Sequence, residues 1–290
     1  MRKAQKKSVF RRRLVNRLIT IISFLAACTG IFFLFWIIIV VLMRGFSAFS
    51  WNFFTKITLL GDEGGVANAI LGTAMITTVA ALLGVPIGIL GGVFLSEFGK
   101  NSKIADIVRF SANVMMGMPS IIIGLFVYTI IVYNTKKFSG FSGAVALAII
   151  MLPIVLRTTE DMLCLVPNSL REAALALGTP RWKTTIHIVF RASKTGLMTG
   201  ILLAIARVSG ETAPLLFTAL NSYYWPNEVW WHFWDFFRSP TANLTVTIND
   251  YAMSPFEGLN KIAWGASLII TMSILLINLI VRTFFKELKR

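Results

Sequence analysis

Charge is what this sequence has least of. Only 14% of its 290 residues are Asp, Glu, Lys or Arg, where a water-soluble domain carries about 25%, so most of the chain requires a solvent other than water. Cysteine is nearly absent. Cys28 lies in an apolar run and Cys164 in a later segment, and two such residues make no disulfide or zinc framework. Histidine is limited to His187 and His232, each without metal-ligand company, so no metal site is expected. The phosphate-cradling pattern G-x-x-x-x-G-K-[ST] is missing as well. Gly99-Lys100-Asn101 lacks both the upstream glycine and the hydroxyl residue, and without that loop the chain has no site for ATP phosphates. Repeated ten-residue stretches of alternating polarity do not occur, which argues against a membrane β-barrel.

What is abundant is apolar. Hydrophobic residues make up 56% of the chain, with 23 Phe, 8 Trp and 5 Tyr, and a composition so rich in aromatics excludes disorder. A bilayer core of about 30 Å needs roughly 20 apolar residues as helix. Five uncharged runs meet or approach that length: 18–43, 66–96, 110–135, 138–156 and 262–281. A sixth, from Thr195 to about Leu220, is apolar apart from Arg207 and Glu211. The expected fold is all-α, a polytopic membrane protein of about six transmembrane helices.

Basic residues set the orientation, because they are retained on the cytoplasmic side. Of 28 Lys and Arg, 20 fall in the N-terminal tail, the loops after the second and fourth spans, and the C-terminal tail. Six fall on the other side, mixed with Asp62, Glu63, Glu228, Asp235, Asp250 and Glu257. Both termini are therefore expected in the cytoplasm, and the net charge of +15 reads as a topology signal, with nucleic acid excluded as the favoured partner and the lipid bilayer in its place. The expected organisation is a basic cytoplasmic tail over 1–17, a transmembrane domain over 18–285 and a second tail over 286–290. The domain contains a cytoplasmic loop, 166–191, and an outer loop, 221–260. The first apolar run is too long for the 7–15-residue core of a secretory signal, and Leu25-Ala26-Ala27-Cys28, which has the look of a lipoprotein cleavage box, lies inside it; an uncleaved anchor is expected.

Gly84, Gly88 and Gly92 fall four apart on one face of the second span. Small residues at that spacing let helix backbones approach closely in lipid, so a tight interhelical contact is expected there. Gly117, Pro119 and Gly124 in the third span and Pro153 in the fourth are candidate kinks.

The loop 166–191 reads as two short helices. Ser169 and Glu172 form a capping box, Leu170, Ala173, Ala174 and Leu177 share a face, Gly178 ends the helix, and Thr179 with Pro180 starts the next. Tethered between two spans, such an element reads as a linker or as a docking knob for a cytoplasmic partner. Glu172-Ala173-Ala174, three residues, Gly178, nine residues and Ile188 resemble the EAA signature of bacterial ABC importer permeases; the family usually continues Ile-x-Leu-Pro, where this chain has Ile188-Val189-Phe190-Arg191. The resemblance implies a coupling helix, carried by Glu172, Ala173, Ala174 and Gly178, that inserts into a cleft of an ATP-hydrolysing subunit.

Charges inside spans are expensive, face a bundle interior or wet cavity, and mark a solute path. Arg207 and Glu211, four apart, fall in the fifth span; Arg157 falls in the fourth, with Glu160 and Asp161 one turn on. Mutually neutralising pairs, Arg207 with Glu211 and Arg157 with Asp161, are the alternative that needs no function. An arginine fork matches a tetrahedral oxyanion, so two arginines point to phosphate or sulfate. Phosphate near neutral pH keeps a proton through which it can donate a hydrogen bond to Glu211; sulfate has none, and meets only repulsion. The segments 207–217, 153–160 and 171–178 are similar to those of the permeases of the bacterial phosphate-specific ABC importer, above all the PstA type. That resemblance covers nearly the whole chain from about Leu18 and implies a type I ABC importer permease that is not itself an ATPase. Its membrane-embedded charges map onto Arg157, Arg207 and Glu211. It further implies no cofactor on this chain, a homologous second permease subunit, two copies of an ABC ATPase subunit that bind the ATP, and a periplasmic phosphate-binding protein.

In the outer loop, Trp225, Trp230, Trp231, Phe233, Trp234, Phe236 and Phe237 read as a short amphipathic helix at the membrane interface, and Thr241–Asn249, with its Thr/Val alternation, as a strand or plain loop. Asn243-Leu244-Thr245 is a glycosylation pattern without meaning in bacteria. The rival functions are an ABC permease for sulfate or molybdate, a secondary phosphate transporter with its own ion coupling, and a membrane-tethered regulatory protein.

Overall fold

Chain that enters lipid must satisfy its backbone donors and acceptors internally. The computed structural model describes residues 2–59, 64–99, 102–223 and 238–284, and every regular element among them is helical. In chain order they are α1 Arg2–Phe46, α2 Trp51–Thr55, α3 Ala67–Val93, α4 Lys103–Gly117, α5 Ser120–Val127, α6 Tyr133–Thr135, α7 Gly140–Cys164, α8 Asn168–Ala176, α9 Arg181–Thr184, α10 Phe190–Val208, α11 Ala213–Thr218, α12 Leu244–Ala252 and α13 Glu257–Phe284. Single π-helical turns extend α3 over Phe94–Phe98, join α5 to α6 over Tyr128–Val132 and join α9 to α10 over Thr185–Val189. Among the described residues five helices are long and apolar enough to cross a membrane, and a bent pair, Lys103–Gly117 with Ser120–Thr135, brings the number to six.

That bent pair corrects the third span. The charge-free run begins at Phe110, but helix begins at Lys103, with the Ser102 hydroxyl accepting from the Ile104 amide. Met118 is held extended (φ −76°, ψ 139°), as the residue before a proline must be, and the axis turns through 104° there. Pro86 and Pro153 lie inside α3 and α7 without ending either helix.

The glycine face does what its spacing predicts. A β-carbon on Gly88 would stand 2.8 Å from Val155 Cβ, and one on Gly92 would stand 2.6 Å from the Leu156 carbonyl of α7. In lipid this contact gains from dispersion between close backbones rather than from expelled water. Ile76, Leu147, Met151, Val155 and Val208 are buried around it, so α3, α7 and α10 form the centre of the bundle. α1 by contrast is exposed along its apolar length and meets α13 only near its end, where Gly45 abuts Leu268 and the Arg44 guanidinium lies 5.0 Å from the Trp264 ring.

Thr241–Asn249 is neither strand nor loop: α12 occupies most of it. Asn243 caps α12 through Oδ1, which accepts from the Val246 amide at 3.0 Å, and Leu244, Val246 and Tyr251 are buried. The Leu244 amide donates to Thr73 Oγ1 of α3 at 2.8 Å, and the Tyr251 hydroxyl donates to the Leu59 carbonyl at 3.1 Å. Burial pushes the Tyr251 phenol above its ordinary value. β-Branched alternation favours a strand locally, but a capped helix with its apolar side against α3 and α13 satisfies the same residues. The aromatic stretch from Trp225 to Phe237 lies outside the described residues.

Candidate functional site: a permeation groove and a docking loop

α10 runs antiparallel to α7, with Gly196 against Met162 and Gly200 against Thr158. Beside that contact opens a cavity of about 770 Å³, lined by Thr158, Thr195, Thr199 and, at its far end, Arg207. Arg207 stands in the last turn of α10, where the helix dipole favours a cation. It is exposed, and among the described residues no side chain bonds its guanidinium.

Glu211 does not continue the face of Arg207. α10 ends at Val208 with Ser209 as its C-cap, and the Gly210 amide turns back onto the Arg207 carbonyl at 3.3 Å. α11 then starts with Pro214 in its first turn. Glu211 lies in the break, half-buried; its amide donates to the Val208 carbonyl at 3.1 Å and its carbonyl accepts from Thr245 Oγ1 of α12 at 3.0 Å. The neutralising Arg207–Glu211 pair, the alternative that needed no function, is therefore not formed, and the Glu211 carboxylate has no bonded partner among the described residues.

Arg157 is in the opposite condition. Its Nη1 donates to Glu160 at 2.9 Å and its Nε stands 3.6 Å from Asp161. The buried Glu160 carboxylate also takes Nε of Arg109 on α4 at 2.6 Å. Arg157 does not line the α7–α10 cavity, so the structure does not bring the two span arginines to one place. Arg109 and Glu160 were not legible as a pair: they lie 51 residues apart, and Arg109 has the position of an ordinary loop charge.

The loop after α7 is built around Arg171. Its guanidinium bonds Glu97 of the turn beyond α3 at 2.7 Å, the Leu163 carbonyl at 2.7 Å, and the Val166 carbonyl. The expected capping box is absent. Pro167 takes the N-cap position of α8, with no side-chain cap, which moves Ser169 into the first turn. The helix end is as predicted. Gly178 has φ +78°, its amide bonds the Leu175 carbonyl and that of Thr179 the Ala174 carbonyl, the paired bonds of a Schellman motif. α9 starts one residue later than expected, with Pro180 at its N-cap. Glu172, Ala173 and Gly178 are exposed, Ala174 is buried, and Leu170, Leu175 and Leu177 face outward, Leu177 at 87% exposure.

Among the described residues no group of His, Cys, Asp or Glu is placed to hold a metal ion, and both cysteines are free.

Comparison with known proteins narrows the reading. A family model described as "binding-protein-dependent transport system inner membrane component" matches residues 84–290. The phosphate transport system permease protein PstA of Pasteurella multocida is 44% identical over 95% of this chain and 96% of its own. That of Yersinia pestis is 44% identical over 100% and 96%, and that of Haemophilus influenzae 43% identical over 100% of both. Among solved structures, an inward-facing conformation of the MetNI methionine ABC transporter superposes with a TM-score of 0.61 at 17% identity, covering 77% of this chain and 95% of that one, which places the fold with the ABC importer permeases. The chain is a multi-pass membrane protein and belongs to the binding-protein-dependent transport system inner membrane components, on their PstA-type branch.

Proposed function

We propose that this chain is the permease subunit that carries inorganic phosphate across the bacterial inner membrane in an ATP-driven, binding-protein-dependent importer. The observation that carries the reading is end-to-end likeness, at 43–44% identity, to permeases named for phosphate transport. On this reading both termini and the α8–α9 loop lie in the cytoplasm, as the excess of basic residues there requires. The chain holds no cofactor. Two copies of a separate ABC ATPase bind and hydrolyse ATP, a homologous second permease completes the path, and a periplasmic phosphate-binding protein delivers the anion. The ATPase seats on α8, where Glu172, Ala173 and the outward leucines form the contact, and buried Ala174 and left-handed Gly178 fix its shape.

Arg207 is the group that meets the anion. A guanidinium with no bonded side chain among the described residues, at the end of a cavity, offers its donors to a dehydrated oxyanion. Glu211 accepts a hydrogen bond from the proton that phosphate retains, and Arg157 extends the path once Glu160 and Asp161 release it. The test is uptake of labelled orthophosphate by vesicles containing the full complex, with sulfate and molybdate as competitors. ATP-dependent uptake resistant to both competitors is expected. Uptake that persists without the ATPase would identify a secondary transporter, and loss of uptake to sulfate would reassign the anion.

A further inference from the structure

Two arginines bond one short stretch of chain, one through its backbone and the other through a side chain. It is the π turn Phe94–Phe98 beyond α3, where Leu95 and Ser96 are buried. From α4, Arg109 donates Nη2 to the Leu95 carbonyl at 3.1 Å and Nε to Glu160 at 2.6 Å; the second oxygen of Glu160 takes Arg157 at 2.9 Å. From α8, Arg171 donates Nη2 to Glu97 at 2.7 Å, and the same guanidinium bonds the Leu163 and Val166 carbonyls at the end of α7. The Arg171 and Glu97 side chains are only 11% and 10% exposed. Charge-assisted bonds of this kind, shielded from water, hold their geometry far better than surface pairs do. An unbroken run of contacts therefore leads from α8 through Glu97, the π turn, Arg109 and Glu160 to Arg157.

The π turn holds one residue more than an α turn, and giving up that extra residue re-registers the chain beyond it and turns Glu97 relative to Leu95. Displacing α8 pulls on Glu97, and the shift is delivered to Arg109 at the Leu95 carbonyl.

We propose that Glu97 and Arg171 are positioning residues that tie the movement of α8 to the setting of Arg157 through this turn. The inference rests on the proposed function only in taking α8 as the seat of the ATPase. A cysteine placed beside Arg157 by Thr158→Cys, in a chain with Cys28→Ser and Cys164→Ser, reports the movement by its rate of labelling with a maleimide. In the full complex, ATP should change that rate by about threefold or more. Glu97→Gln and Arg171→Gln should each abolish the change with the ATPase still bound. Arg171→Lys, which keeps a cation beside Glu97, should retain part of it. An undiminished ATP response in Glu97→Gln, or no response in the parent complex, overturns the proposal. Uptake of orthophosphate by the parent complex is measured in parallel, so a wrong anion shows there and not in the labelling.

Discussion

The two arginines that the sequence places inside membrane spans live under different conditions. Arg157 is held: Glu160 and Asp161 bond it, and Arg109 shares the same carboxylate. Arg207, at the end of α10, lines a cavity with no side chain bonded to it among the described residues. One reading treats both charges as neutralised pairs, and the structure realises that only for Arg157. The local cause is the break between α10 and α11. α10 ends at Val208, before Glu211, and α11 starts with Pro214 in its first turn, so the carboxylate four residues on is carried off the helix face. A buried charge is thus explained by its surroundings and not by its sequence spacing.

The comparison can be sharpened by separating transport from stability. Arg207→Gln is expected to give the largest effect, a loss of orthophosphate uptake of about 10- to 100-fold from one lost charge-assisted contact, with thermal unfolding in detergent unchanged. Next is Glu160→Gln, which leaves Arg109 and Arg157 without their shared anion. We expect a loss of about 2 kcal/mol in stability, read as a lower unfolding temperature. Arg157→Gln should cost less, on the order of 1 kcal/mol, because its side chain is 40% exposed and Arg109 still holds Glu160; its uptake should fall less than that of Arg207→Gln. Smallest is Thr245→Val, which removes the hydroxyl that bonds the Glu211 carbonyl. A change of about 0.5–1 kcal/mol is expected, with a raised KM for phosphate. If Arg157→Gln and Arg207→Gln proved equal in both readouts, the distinction between a held and an offered arginine would collapse.

Much of this was legible from residue order, and the rest fails for identifiable reasons. The glycine face of α3, the break at Pro119 and the left-handed Gly178 were readable because each depends on backbone sterics within a few residues. The Glu97–Arg171 and Arg109–Glu160 bonds were not, since they join helices 74 and 51 residues apart, and each charge taken singly looks like a loop residue obeying topology. The capping box at Ser169 was displaced by Pro167, whose fixed φ sets the N-cap two residues earlier. α12 was hidden because Thr/Val alternation carries a strand's pattern, while the cap at Asn243 and burial against α3 decide the outcome.

The most direct test is the initial rate of labelled orthophosphate uptake in vesicles containing the complete complex, wild type against Arg207→Gln, at matched amounts of folded protein and bound ATPase. A rate at least tenfold lower in the variant is predicted. Equal rates would mean that the unpaired guanidinium at the cavity's end takes no part in moving the anion.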